Sequence, residues 1–145
     1  MERIKTLSLW SGILGFVVVA LGAWTRLADA GLGCPDWPGC YGFVTFPVSP
    51  EEIDIANSKF PDTPYEVAKA IPEVVHRYFA ASLGLLAIAL LFIAFKEKKM
   101  KIESAVLLLI IIAQGTFGYL TVSLKLHPLI VTSHLFGAII TTSLF

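Results

Sequence analysis

Four long apolar segments decide what this chain can fold into. Leu7–Trp24 and Tyr78–Phe95 carry no charge; Ala105–Leu124 has one strong polar group, Gln114; Pro128–Phe145 has His134 and a few hydroxyls. Each is 18 to 20 residues long, and a helix needs about 20 predominantly apolar residues to cross a hydrocarbon core. In lipid a segment must satisfy its own backbone polar groups, so helix is the only spanning form at this length. Composition agrees. Of 145 residues, 56% are apolar and 15% charged, against roughly 45–50% and about 25% in an ordinary soluble domain. Disorder, collagen and coiled coil are excluded by the same figures. The formal net charge is zero, so no partnership with nucleic acid is expected. The expected fold is an all-α membrane protein: one domain over 1–145, a bundle of four transmembrane helices at about 7–25, 72–95, 104–124 and 128–145.

The first segment also has features of a cleaved signal peptide, since Arg3 and Lys5 precede it and Ala28-Asp29-Ala30 imitates a cleavage site. Its uncharged run is longer than the usual 7–15-residue signal core, and Arg26 lies between that run and the imitated site. Retention as a span is expected.

Lysine and arginine placement sets the orientation. Arg3 and Lys5 flank the first span, and Lys96, Lys98, Lys99 and Lys101 fill the turn between the second and third. The stretch from Arg26 to Arg77 holds four basic residues against eight acidic ones: Asp29, Asp36, Glu51, Glu52, Asp54, Asp62, Glu66 and Glu73. A multi-pass protein of the cell membrane is expected, with both termini cytoplasmic and a long extracytoplasmic loop over about 26–71. That loop is rich in Pro, Gly and aromatics, notably Cys34-Pro35-Asp36-Trp37-Pro38-Gly39-Cys40-Tyr41-Gly42, which fix turns and supply apolar mass; it is expected to be structured. Thr63-Pro64 reads as a helix cap followed by proline at the first helical position, so a helix is expected from about Pro64 into the second span, kinked at Pro72. The last apolar run ends on Phe145 with no flanking charge. That fits either a minimal four-helix protein or part of a larger membrane protein.

Cys34 and Cys40, the two cysteines, both lie in the outer loop. In an oxidising compartment a pair this close reads as a disulfide, either a structural staple or a redox-active pair. The histidines are His76, His127 and His134. Ionisable groups in a membrane are costly and default to function. His134 lies six residues past Pro128, about 9 Å along a helix, and His76 sits near the outer end of the second span. Two imidazoles from two helices at one depth are what a low-spin haem iron takes as axial ligands; unrelated interfacial histidines are the alternative. His127, seven residues before His134, shares nearly the same face and is a secondary candidate for ligand or propionate contact. Glu73 and His76 are spaced i,i+3, while Glu73 and Arg77 are spaced i,i+4 with the acid first, the favourable ion-pair order. Glu73 is therefore open to a site role or a salt-bridge role. Arg26 and Arg77 suit haem propionates through bidentate pairing, or serve as interfacial anchors. Gln114, at mid-membrane, joins helices or meets a ligand, and Gly115 and Gly118 allow close approach.

These residues resemble the haem A synthase family. The matching segments are Thr25-Arg26-Leu27, Gly31-Leu32-Gly33-Cys34-Pro35-Asp36-Trp37-Pro38, Glu73-Val74-Val75-His76-Arg77, Gln114-Gly115-Thr116-Phe117-Gly118-Tyr119-Leu120-Thr121-Val122 and Val131-Thr132-Ser133-His134-Leu135. The resemblance runs in order along the chain. It implies oxidation of the C8 methyl of haem O to a formyl group, through a hydroxymethyl stage, giving haem A for terminal oxidases. It implies His76 and His134 as the axial pair, Glu73 as the catalytic carboxylate, and Cys34 and Cys40 as the outer-loop cysteine pair. Members usually have eight spans in two similar halves, and this chain matches the half bearing the glutamate and cysteines. Trp24, in place of a small residue, and His127 depart from the pattern. The resemblance further implies haem b as a cofactor, a homo-oligomer (a dimer in the simplest case) rebuilding the two halves, and haem O synthase and a terminal oxidase as partners. Two rival readings differ in kind: a non-enzymatic b-type cytochrome or assembly subunit, which would not need Glu73, and a quinone-coupled thiol-disulfide oxidoreductase, which needs two communicating cysteine pairs.

Overall fold

The computed structural model describes Met1–Phe145 as five helices with no β-strand: α1 (Glu2–Leu27), α2 (Pro50–Lys59), α3 (Val67–Glu97), α4 (Lys101–Ser123) and α5 (Pro128–Ser143). Three of them, α1, α3 and α4, are long and apolar enough to cross a membrane. Most of their large side chains face outward, among them Phe16, Leu85, Phe92, Leu109 and Ile112; in water this surface would be untenable, and lipid is the solvent that suits it. The apolar helix α5 has 16 residues, about 24 Å of rise.

α1 packs on α3, α3 on α4, α4 on α5, and α5 back on α1, while the backbones of the diagonal pairs, α1 and α4, and α3 and α5, stay apart. The contacts thus close a ring whose diagonals stay apart. Small residues allow the α1–α5 seam. A Cβ on Gly15 would meet the Thr142 side chain at 3.1 Å, and the Ser8 hydroxyl donates to the Phe145 carbonyl at 2.5 Å. Two tight turns close the ring. Lys98 and Met100 adopt left-handed φ between α3 and α4, and Lys125 and Leu126 do so between α4 and α5.

Buried apolar side chains gather at opposite ends of α3. Ile4, Leu90 and Leu107 form one cluster; Cys34, Cys40, Tyr41, Ala56, Ala70 and Val74 form the other, flanked by Phe43, Phe46, Phe60 and Tyr65. The second cluster is the core of a cap built from the connection between α1 and α3. Within it α2 has a complete capping box: Ser49 accepts the Glu52 N–H, Glu52 accepts the Ser49 N–H, and Pro50 is the first helical residue.

α3 begins at Val67 with Glu66 as its N-cap, not at Thr63-Pro64. The backbone of that earlier stretch is committed to the cap. The Tyr41 hydroxyl donates to the Pro64 carbonyl, the Tyr65 N–H donates to Asn57 Oδ1, and the Thr63 N–H turns back to Phe60. Pro72 is buried inside α3, and its carbonyl accepts the Thr25 hydroxyl of α1 at 3.2 Å.

Candidate functional site

One turn of α3 carries Glu73, His76 and Arg77; Glu73 and Arg77 face the same turn of the cap, and His76 faces α1. Glu73 is 4% exposed. Its Oε2 accepts the Cys34 N–H at 2.9 Å, and its Oε1 accepts from Arg77 at 2.5 Å. Arg77 also donates to the carbonyls of Asp36, at 3.0 Å, and of Pro38 and Gly39. Cys34 and Cys40 are joined as a disulfide, so the ion pair grips a closed seven-residue turn from inside the bundle. The turn approaches α3 backbone to backbone, for a Cβ on Gly33 would collide with the Lys69 carbonyl. Asp36 finishes it by accepting the N–H groups of Tyr41 and Gly42 at 2.6 and 2.7 Å. Trp37 reaches across to α4, edge-on to Tyr119 with ring centroids 5.8 Å apart.

Electrostatics in the cap follow burial. Desolvation, then the nearby Glu66 carboxylate, pushes the Tyr41 hydroxyl above its ordinary pKa. Burial does the same to Tyr65, which donates to the Pro47 carbonyl. The backbone N–H groups of Val48 and Ser49 hold Glu52 below the ordinary carboxylate range.

His76 points away from the cap towards α1. Its Nδ1 lies 3.1 Å from the Val18 carbonyl, and a Cβ on Gly22 would come within 3.0 Å of its Cε1. His134 projects from α5 opposite Gly118 of α4, and its Nδ1 is buried without a partner. The two imidazoles lie on diagonally opposed helices. Gln114 lies one turn before Gly118 on α4, with its amide nitrogen against Gly137 and its Oε1 buried and unbonded. Arg26 and His127 stand apart. Both are exposed, the Arg26 side chain makes no hydrogen bond, and His127 is the N-cap residue of α5.

A haem iron with two axial imidazoles needs one bare ring nitrogen from each side. His76 bonds through Nδ1 and leaves Nε2 free; His134 makes no bond at all. Unpartnered buried polar atoms on α4 and α5, together with diagonal helices that stay apart, fit a polar-edged flat ligand between them.

Sequence reasoning named these groups but missed what holds them. Gly22 lies in no motif, and Gly33 and Asp36 lie in the matching Gly31–Pro38 segment without their structural duties being read from it, although Asp36 ahead of Pro38-Gly39 is a turn signal. The capping box of α2 was legible in Ser49-Pro50-Glu51-Glu52.

The family model for the cytochrome oxidase assembly proteins (COX15-CtaA) matches residues 5–145. Haem A synthase of Shewanella oneidensis is 45% identical over 134 residues, covering 91% of this chain and 40% of that protein. The chain thus spans less than half the length of the curated relative it matches. No solved structure matches it. With a match extending over nearly every residue from the first helix to the last, the chain belongs to the COX15-CtaA family of cytochrome oxidase assembly proteins.

Proposed function

We propose that this chain is the substrate-oxidising half of a haem A synthase, converting the C8 methyl of haem O to a formyl group. The observation that carries the reading is the placement of two imidazoles with free nitrogens on diagonal helices, beside a buried carboxylate held by a disulfide turn. In this reading α5 is the fourth span, both termini are cytoplasmic, and the cap over α3 is extracytoplasmic.

His76 and His134 would hold the iron, with Gln114 at the edge of the ring. Arg26 is the stronger propionate partner, because Arg77 already spends its donors on Glu73 and three carbonyls. His127, at the start of α5, is a second contact for the same anionic edge. Haem b, as a second prosthetic group, would supply one-electron acceptance.

Glu73 does the chemistry at the methyl carbon. Each of the two oxidations removes an electron pair, and the carbon becomes electron-deficient as the pair leaves. A carboxylate beside it stabilises that charge and then takes the proton of the attacking water; the first water leaves its oxygen as the hydroxyl of the hydroxymethyl group, and the second gives a geminal diol that loses one water to leave the formyl group. Both Glu73 oxygens accept one hydrogen bond and keep a lone pair for this. Low dielectric strengthens the interaction relative to water. The two electrons of each oxidation would leave singly, by way of haem b, to an acceptor outside this chain; a homo-oligomer, most simply a dimer, would rebuild the two-half arrangement. Haem O synthase as supplier and a terminal oxidase as recipient complete the partners.

The test is pigment analysis of the purified protein with its optical spectrum. Haem O or haem A bound in a low-spin state supports the reading. Haem b alone supports a b-type carrier, and no haem supports a thiol-disulfide enzyme.

A further inference from the structure

We infer that the Val18 carbonyl and Gly22 form a seat on α1 that fixes the tautomer and ring orientation of His76, making Gly22 a positioning residue for that ligand. The inference deepens the haem reading and rests on it for its purpose, but the seat itself is a property of the haem-free chain.

Val18 and Gly22 are four residues apart on α1 and so share one face. The Val18 carbonyl only accepts, so the 3.1 Å contact requires the proton on His76 Nδ1. A neutral imidazole protonated there presents a bare lone pair at Nε2, the form a metal takes. Hydrogen bonds from the far ring nitrogen orient metal-binding histidines and raise their basicity.

Gly22 supplies the space. A Cβ at this position would stand 3.0 Å from Cε1, 3.5 Å from Nδ1 and 3.6 Å from Nε2 of His76, so the Nδ1–Cε1–Nε2 edge of the ring packs against bare helix backbone. The ring has little room to give way, because α3 is pinned to α1 one turn earlier by Thr25 and the Pro72 carbonyl.

His134 is the contrast. Its Nδ1 has no partner, and a Cβ on the facing Gly118 would make ordinary contact, 3.7 Å from Cε1. The two ligands are therefore unequal. The protein sets the plane of His76 beforehand, while His134 turns to suit what it meets.

The experiment uses the full chain, labelled with 15N-histidine and held haem-free in lipid nanodiscs, with the His76 signal assigned by its loss in His76→Gln. A single Nδ1-protonated tautomer is expected for His76 in the wild type. Gly22→Ala should convert it to a mixture, and Gly118→Ala, the same added methyl facing the other histidine, should leave it unchanged. After haem loading, the low-spin electron paramagnetic resonance g-values should shift in Gly22→Ala and hold in Gly84→Ala, whose added methyl meets nothing nearer than Ile111 at 4.0 Å. An Nε2-protonated His76 in the wild type overturns the seat without any variant having to fold, and so does an unchanged tautomer in folded Gly22→Ala. Failure of the wild type to take up haem overturns the haem reading alone, because the tautomer is read without haem.

Discussion

Glu73 on α3 and Cys34 in the cap are joined by a 2.9 Å hydrogen bond from the Cys34 N–H to the buried carboxylate. The bond ties the residue proposed for chemistry to the disulfide that shapes the loop above it. Through Arg77 the same carboxylate reaches the carbonyls of Asp36, Pro38 and Gly39. Glu73 is thus a structural anchor as well as the group proposed for the chemistry, and the two duties separate by mutation.

Glu73→Gln keeps an acceptor for the Cys34 N–H and removes the charge. The variant is expected to fold, to bind haem O, and to lose formyl production by about 10²–10⁴-fold, the usual contribution of a positioned acid or base. Glu73→Ala leaves Arg77 partly buried without its counter-charge, and a loss of about 1–3 kcal/mol in stability is expected on top. Extracting and quantifying haem O and haem A from each variant decides the matter. Near-normal haem A from Glu73→Gln would leave Glu73 as an anchor only.

The disulfide is expected to protect the cap. Closing so short a loop is worth about 2 kcal/mol by loop-closure entropy. Cys34→Ser with Cys40→Ser should retain the helices and speed hydrogen exchange at Tyr41, Gly42 and Phe43, since only hydrogen bonds, with Asp36, Glu73 and Arg77, then hold the turn. Thiol titration of the unreduced wild type should find no free cysteine; two free thiols would count against the bond.

The membrane helices were legible because uncharged apolar runs of spanning length have one structural solution. His134 stood out because ionisable groups are rare in such runs, and Glu73 and His76 because they share a helix face at the end of one. The cap was harder. Its residues announced turns, yet which turn docks on which helix turn depends on contacts far apart in sequence, such as Cys34 with Glu73 and Trp37 with Tyr119. Thr63-Pro64 has the local chemistry of a helix start, but tertiary bonds from Tyr41 and to Asn57 claim that backbone first. Arg77 shows the same limit: spacing gave its Glu73 partner, while its three carbonyl partners lie 38 to 41 residues away.

Ser49→Ala should remove the side-chain cap of α2 at a cost of about 1 kcal/mol, seen as faster exchange at Glu52 and Ile53 with the long helices unaffected. Acid should loosen the same box from its other side. Glu52 is held below its ordinary pKa in the fold, so its contribution is fully present at neutral pH. It starts to fall near the unfolded value, about 4.3, and is gone once pH drops through the folded value. Glu52→Gln should abolish that acid dependence. An unchanged profile in Glu52→Gln would assign the loosening to another carboxylate.

Topology gives the broadest test. The basic residues of the N-terminus and of the α3–α4 turn should lie on one side of the membrane and the acidic cap on the other. Ser58 of α2 and Lys99 of the turn are both exposed, and Cys34 and Cys40 are consumed in their disulfide, so an introduced cysteine is the only reactive thiol. Ser58→Cys should react with an impermeant maleimide on intact cells, and Lys99→Cys only after permeabilisation. The two positions flank the full length of α3, whose 31 residues rise about 46 Å, more than the hydrocarbon core of about 30 Å requires. Both sites labelling from the same side would mean that α3 does not cross, and the placement of His76 and Glu73 near the outer face would fall with it.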